Sequence, residues 1–293
     1  MDLEQSRSCL QREQKQFLQE LRKWRTILKK TGAYKIWQII YPIGIYYVVS
    51  SVIYFFVTMF LGGEKQTYML RQLICAAGTI PVILSFYRAD RQFETVVYGA
   101  DEQTRGQTIR NIVCSLGAGA LLGIAVNNVI AMTPLIKVSA GFGEANSSFF
   151  AGTVLYELLG SCLIIPFAEE LLYRGVVWKR LRMLFGNLPA LILSAVLFGV
   201  MHVNLVQFLY AGILGLLLAY LMQTTGKLYA PVLGHIAANV AAVVRQETGW
   251  LDFAYQPTAA GIGFSLLLFA GAFLLLWHHA KRTERKEENH AGK

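Results

Sequence analysis

The sequence predicts an all-α fold: a polytopic bundle of about eight membrane-spanning helices preceded by a basic amphipathic helix. Three observations carry this. Of 293 residues, 55% are hydrophobic and only 15% charged, where an ordinary soluble domain carries about 25% charged residues. The charges are also segregated: residues 1–35 hold thirteen and residues 280–293 hold eight, leaving 24 for the 244 residues between. Mean hydropathy is +0.44. Such a composition excludes a disordered chain, a disulfide-stapled secreted domain and an ordinary cytosolic enzyme.

The elements follow in order. Residues 1–35 contain no apolar run, as a secretory signal would. Leu10, Phe17, Leu18, Leu21, Trp24 and Leu28 recur at helical spacing, with Arg12, Lys15, Arg22, Lys23, Arg25, Lys29 and Lys30 at the charged positions. A basic amphipathic helix beside a membrane segment lies on the lipid surface, and anionic lipid is its expected partner. A coiled-coil contact with another protein is the alternative. The net charge of +9 flanks apolar segments, so it points to lipid headgroups and not to nucleic acid.

A span needs about 20 apolar residues, and the candidates are 36–62, 71–87, 111–133, 150–173, 188–209, 205–223, 228–244 and 260–279. The fifth and sixth overlap because the Val203-Asn204 junction sets no clear boundary, and Pro81 predicts a kink in the second. Eight spans put both termini on one side. With that side cytoplasmic, 23 Lys and Arg fall in the inside segments and 4 in the outside ones, a strong positive-inside bias in a membrane of the cell surface. The domains are therefore a surface helix (1–35), a transmembrane domain (36–279) and a basic cytoplasmic tail (280–293). Cys9, Cys75, Cys114 and Cys162 have no ligand spacing and read as reduced, mostly core residues.

Ionisable side chains in hydrocarbon are costly, roughly 2.5–3.5 kcal/mol near mid-bilayer, so those inside the spans are where function is sought. Glu169, Glu170 and Arg174 close the fourth apolar run. Glu170 and Arg174 are i and i+4 and can pair on one helix face, while Glu169, about 100° away, is left for chemistry. Phe198 and His202 are four apart on the next helix. His235 and Asn239 are four apart on the seventh, beside Gly234, Ala237 and Ala238, which allow close helix approach. Counted at 1.5 Å per residue from the inside ends, Glu169 lies about 15 Å deep, His202 about 21 Å and Asn239 about 16 Å. The three helices can therefore bring a carboxylate, two imidazoles and an amide to similar depth, as a water-filled catalytic or metal site would require.

The ordered set EExxxR, FxxxH and HxxxN, at 169–174, 198–202 and 235–239, resembles the CAAX protease and bacteriocin-processing family of intramembrane proteases, also called the CPBP or Abi family. The resemblance covers about residues 150–245. It implies peptide-bond hydrolysis within the membrane, on peptide or membrane-protein substrates, lipidated ones included, that enter from the cytosolic side. It implies catalytic roles for Glu169, Glu170, Arg174, His202, His235 and Asn239. Two mechanisms remain open. Glu169 with His202 can deprotonate a water while His235 and Asn239 hold the oxyanion; or Glu169, His202 and His235 can bind Zn2+ with a position open for water.

Two other classes compete. A non-catalytic scaffold or bacteriocin-immunity protein would use the same cluster for helix packing. A proton or solute pathway is the other, although the internal symmetry of many carriers is missing. Elsewhere, Ser161 and Ser194 read as packing hydroxyls, Asn127 and Asn128 as interhelical hydrogen-bonding residues, and Gly212 and Gly215 as close-packing positions. Glu157 is expected near the outer interface, and His278 and His279 at the inner one.

Overall fold

The computed structural model describes residues 31–98, 103–202 and 204–291, with Lys15 and Gln19 alone before them. The surface helix expected over 1–35, and Cys9 with it, falls outside the described residues almost entirely. Among the described residues every regular element is helical. Leaving single turns unlabelled, these are α1 (Gly32–Leu61), α2 (Tyr68–Tyr98), α3 (Arg105–Ala131), the short α4 (Phe142–Phe149), a long composite α5 (Val154–Phe185), α6 (Asn187–Val200), α7 (Leu205–Thr225), α8 (Tyr229–Thr248) and α9 (Ala259–Ala291).

Each of the eight predicted apolar segments thus has a helix of its own, although the helix of 188–209 extends only as far as Val200. Five helices, α1, α2, α3, α7 and α9, are long and apolar enough to cross a membrane, and a sixth span results if α4 and α5, bent by 110°, are taken together. α6 has 14 residues, short of a full crossing on its own. α8 carries His235, Asn239 and Arg245 among its 20 residues, which lowers its hydropathy; His235 and Arg245 are buried against protein and need no lipid-compatible side chain.

Two boundaries differ from expectation. α2 extends past the expected end at 87 to Tyr98, with Pro81 inside it. The segment 188–209 is not one helix: α6 stops at Val200, and His202 lies in the turn that follows, not on the helix face. The restart is written locally. Asn204 Oδ1 accepts from the Gln207 amide at 2.9 Å, and Gln207 Oε1 accepts from Asn204 Nδ2 at 2.8 Å, an N-terminal cap that satisfies amides the first turn of α7 cannot. α3 begins on a similar Thr104–Gln107 capping box.

Lipid-facing residues are apolar outward, as the solvent dictates: Val48, Phe55, Met59 and Phe60 of α1 and Leu266, Leu267 and Phe273 of α9 are exposed. The centre is built on small residues. A Cβ on Gly119 of α3 would run into the backbone of Gly234 on α8, and one on Gly123 would meet the Ala238 Cβ at 2.9 Å. These glycines let the two backbones touch, so the seventh span packs through the small residues beside its motif.

Polar contacts gather at two opposite ends. At one, Arg180 grips Asp90 (Nε–Oδ2 2.7 Å, Nη2–Oδ1 3.2 Å) and donates to the Gln38 carbonyl, while Gln103 donates to the Thr225 carbonyl and the Tyr229 hydroxyl donates to Gln103. His279 also belongs here. It is buried and bonds Asn111 Oδ1 at 2.8 Å, so it links α9 to α3 and is not the solvated interfacial residue expected. At the other end, Lys65 reaches Ser147 and Glu144, Ser139 accepts from the Val206 amide, and Arg245 donates to Asn128 and to the Leu251 carbonyl. Asn128 in turn donates to Ser265 at 3.0 Å, the interhelical role expected of it. Glu157, expected at the outer interface where solvation is cheap, is 1% exposed, because α5 packs it inside the bundle.

Candidate active site

The motif residues start from one helix. In α5, the turns carrying the glutamates (Ile165–Leu172) are α-helical and are flanked by wider π-type stretches, Leu158–Ile164 and Tyr173–Trp178; such interruptions are frequent at functional sites. Within this helix Glu170 and Arg174 pair as i and i+4, with Arg174 Nη1 donating to Glu170 Oε1 at 2.8 Å, and both side chains are fully buried. Arg174 Nη2 donates to the Gly215 carbonyl of α7 at 2.9 Å. A Cβ on Gly215 would come within 3.2 Å of that nitrogen. The glycine therefore does more than permit helix packing: it leaves room for the guanidinium.

The same Glu170 oxygen accepts from His235 Nδ1 at 2.9 Å. Glu170 is accordingly the anchor that binds the first motif to the third. Because Nδ1 donates, a neutral His235 carries its lone pair on Nε2, which lies 3.9 Å from Glu169 Oε2. His202 is oriented the same way, its Nδ1 donating to the Phe198 carbonyl at 2.9 Å, so its Nε2 is the basic atom. Asn239 Nδ2 donates to the Ser161 carbonyl at 2.7 Å, leaving the second N–H of that amide.

Phe198 is the wall these groups share. Its ring is edge-on to His202 (5.1 Å between centroids), His235 (5.7 Å) and Tyr173 (5.1 Å), and Arg174 Cζ lies 4.8 Å from its centroid. Sequence spacing paired Phe198 with His202 alone. The ring also fixes the other imidazole and screens the buried ion pair.

Glu169, His202, His235 and Asn239 line one cavity of about 1040 Å³. Glu169 keeps 21% side-chain exposure towards it, against none for Glu170. The six residues chosen from sequence are therefore brought together, and they divide: Glu170 and Arg174 lie behind the wall, while the other four reach the cavity. Ser161 also lines it, but its hydroxyl donates to the Glu157 carbonyl at 2.6 Å, a packing role as expected. Two features were missed. Tyr47 of α1 lines the cavity and its hydroxyl meets that of Tyr173 at 3.4 Å; Tyr173 lies inside the first motif and was the available signal, whereas nothing in α1 marks Tyr47. The second was the set of amides Gln72, Asn146, Gln207, Gln246 and Gln256 along the cavity wall.

The donor types of Glu169, His202 and His235 suit Zn2+. Among the described residues, however, no three His, Cys, Asp or Glu side chains are gathered closely enough to hold one ion, and His235 is turned to Glu170 through one ring nitrogen. The residues as arranged do not fit a preformed zinc site.

Residues 151–241 match the family model described as "Type II CAAX prenyl endopeptidase Rce1-like". The chain is also similar to "Putative membrane peptidase YdiL" of Bacillus subtilis (strain 168), with 26% identity over 89 residues, 30% of this chain and 36% of that protein. The match thus spans about a third of the relative's length. No solved structure matches. The family match contains all six motif residues and the helices that hold them, α5 through most of α8. Through this segment, about a third of its length, the chain is similar to the CAAX protease and bacteriocin-processing family of polytopic membrane proteins.

Proposed function

We propose that the protein is an intramembrane endopeptidase in which Glu169 and His202 activate a water for attack on a peptide carbonyl. The observation that carries this is the division of the adjacent glutamates: Glu170 is fully buried in the bond to Arg174, and Glu169 faces the cavity with both histidines. A carboxylate and an imidazole Nε2 lone pair at one cavity can take a proton from water. The resulting hydroxide adds to the carbonyl carbon. Asn239, through its remaining N–H, and His235, through Nε2–H when it is imidazolium with Glu170 balancing the charge, stabilise the oxyanion. Glu169 then delivers its proton to the amide nitrogen as the C–N bond breaks, giving a free carboxylate and a free amine.

Glu170 and Arg174 act here as positioning residues, holding His235 and the Phe198 wall. On this reading both termini face the cytoplasm, as the bias of Lys and Arg towards that side suggests, and the basic N-terminal segment meets anionic lipid. The substrate is a peptide or a membrane-protein segment. A lipidated peptide is supported by the prenyl endopeptidase named in the family description.

The test is cleavage of a quenched-fluorescent peptide library by purified protein, wild type against Glu169→Gln and His202→Ala. Loss of cleavage in both variants, with the wild-type melting temperature retained, is expected. Full activity in either would overturn the role given to that residue.

A further inference from the structure

We infer that substrate reaches Glu169 from the non-cytoplasmic side of the membrane, so that the enzyme acts on peptide segments exposed outside the cytoplasm. This rests on the protease reading and specifies which pool of substrates it serves. It departs from the cytosolic entry that the family resemblance implies.

The first observation is where the cavity runs. From Glu169, Phe198 and His235 its wall continues through Met132 and Lys137 beyond α3, through α4, through Val206 at the start of α7, and to Gln256 beyond α8. All of these lie at the end of the bundle marked by the Lys65–Glu144 and Arg245–Asn128 contacts. None of its lining residues comes from 88–126, 170–197 or 215–234, which form the opposite, Asp90–Arg180 end. A second groove of about 560 Å³, sharing Tyr47 and Gln72 with the first, runs between α1 and α2 through Tyr54, Thr58 and Met59. It too belongs to the Lys65 end, since α1 finishes there at Leu61.

The second observation is charge. The 23-to-4 division of Lys and Arg includes buried residues, which report packing and not orientation. Omitting the buried Arg174, Lys179 and Arg180 on one side and Arg71 and Arg245 on the other leaves 20 against 2. The bias sharpens, and it puts the Asp90–Arg180 end in the cytoplasm. The mouth of the cavity is then at the other surface. Its chemistry suits a polypeptide: Gln72, Asn127, Asn146, Gln207, Gln246 and Gln256 line it, with Lys137 as its one Lys or Arg. Neutral amides both donate and accept, as an extended peptide backbone requires.

The experiment uses full-length protein in a Cys9→Ser background, since Cys75, Cys114 and Cys162 are buried. One at a time, cysteines replace Ala242 and Gln256 in the cavity wall and Asn187 at the exposed start of α6, and each variant is compared with the Cys9→Ser parent. Each is treated with a membrane-impermeant sulfonated maleimide in right-side-out and in inverted vesicles. The expected result is reaction of Ala242→Cys and Gln256→Cys from the outside only and of Asn187→Cys from the cytoplasmic side only. Cavity cysteines that react from the cytoplasmic side overturn the inference, as do cavity cysteines that add no labelling over the Cys9→Ser parent from either side but add one label per chain after denaturation. In the native-cysteine protein, an impermeant quenched-fluorescent peptide library should be cleaved by right-side-out and not by inverted vesicles; the reverse overturns it. Labelling does not depend on catalysis. The expected pattern together with full cleavage by Glu169→Gln would therefore fault the catalytic assignment and leave the route of access standing.

Discussion

Replacing Glu169 by Gln and, separately, Glu170 by Ala distinguishes a chemical from a structural carboxylate at adjacent positions. Glu169→Gln keeps size and hydrogen-bonding capacity on a side chain that is 21% exposed at the cavity, so it strands no buried charge. Its melting temperature should match wild type. Cleavage should fall about 10²–10⁴-fold, the usual contribution of a positioned general base, which is about 2.7–5.4 kcal/mol in the barrier. Glu170→Ala does the opposite. It removes the acceptor of two bonds, 2.8 Å from Arg174 and 2.9 Å from His235, and leaves a guanidinium with no exposure holding only the Gly215 carbonyl and the Phe198 face. Breaking such a pair from one side costs about 3–5 kcal/mol, which lowers the melting temperature on the order of 10 °C at about 2–4 °C per kcal/mol. The assays are thermal unfolding in detergent and cleavage of one peptide by both variants below their transitions. Unchanged melting of Glu170→Ala, or wild-type cleavage by Glu169→Gln, would refute the division of labour.

Three further outcomes are expected. Asp90→Ala exposes the buried Arg180 to the same penalty, about 3–5 kcal/mol, read as lowered thermal stability; Asp90→Leu combined with Arg180→Met, which removes both charges, should recover most of it. Among glycine-to-alanine variants, Gly119 should destabilise most, because its Cβ meets the Gly234 backbone, Gly123 less, and Gly63, which has open space, not measurably; overpacking of this kind costs about 1–3 kcal/mol, and an unchanged Gly119→Ala melting curve would contradict the close α3–α8 contact. Prolonged chelation should leave cleavage intact in protein without stoichiometric zinc, whereas loss on chelation with recovery on adding Zn2+ would establish the metal-dependent alternative.

Much of this arrangement was legible in the chain because lipid imposes a simple rule on it. Apolar runs had to be helices, and six polar residues inside them had to have a reason. What stayed hidden depends on contacts between distant segments. Asp90 and Arg180 are 90 residues apart and His279 and Asn111 are 168 apart; hydropathy places each at a helix end but cannot tell a solvated end from a paired one. Glu157 was misjudged for the same reason, since its depth along α5 was readable and its neighbours were not. The turn near Asn204 was expected, but its start after Val200 was not, because neither Gly nor Pro marks it and the Asn204–Gln207 cap of α7 alone signals the restart.

Packing accounts for only part of the polar cluster. A scaffold would need the Glu170–Arg174 pair, its bond to His235, the Phe198 wall and the Asn239 bond to the Ser161 carbonyl, and each of these contacts is made within the protein. Other buried polar side chains bond within the protein too, Asn128 to Ser265 and Arg245 to the Leu251 carbonyl. Glu169 and the Nε2 atoms of His202 and His235 are different. They add no bond to that framework, and they bring a carboxylate and two basic nitrogens to a cavity within an apolar bundle, where such groups are costly. A bundle selected for packing alone would be more stable with apolar side chains at 169 and 202. A cavity of about 1040 Å³ has room for water to solvate these groups, and water beside a carboxylate and an imidazole is the reagent that peptide hydrolysis needs.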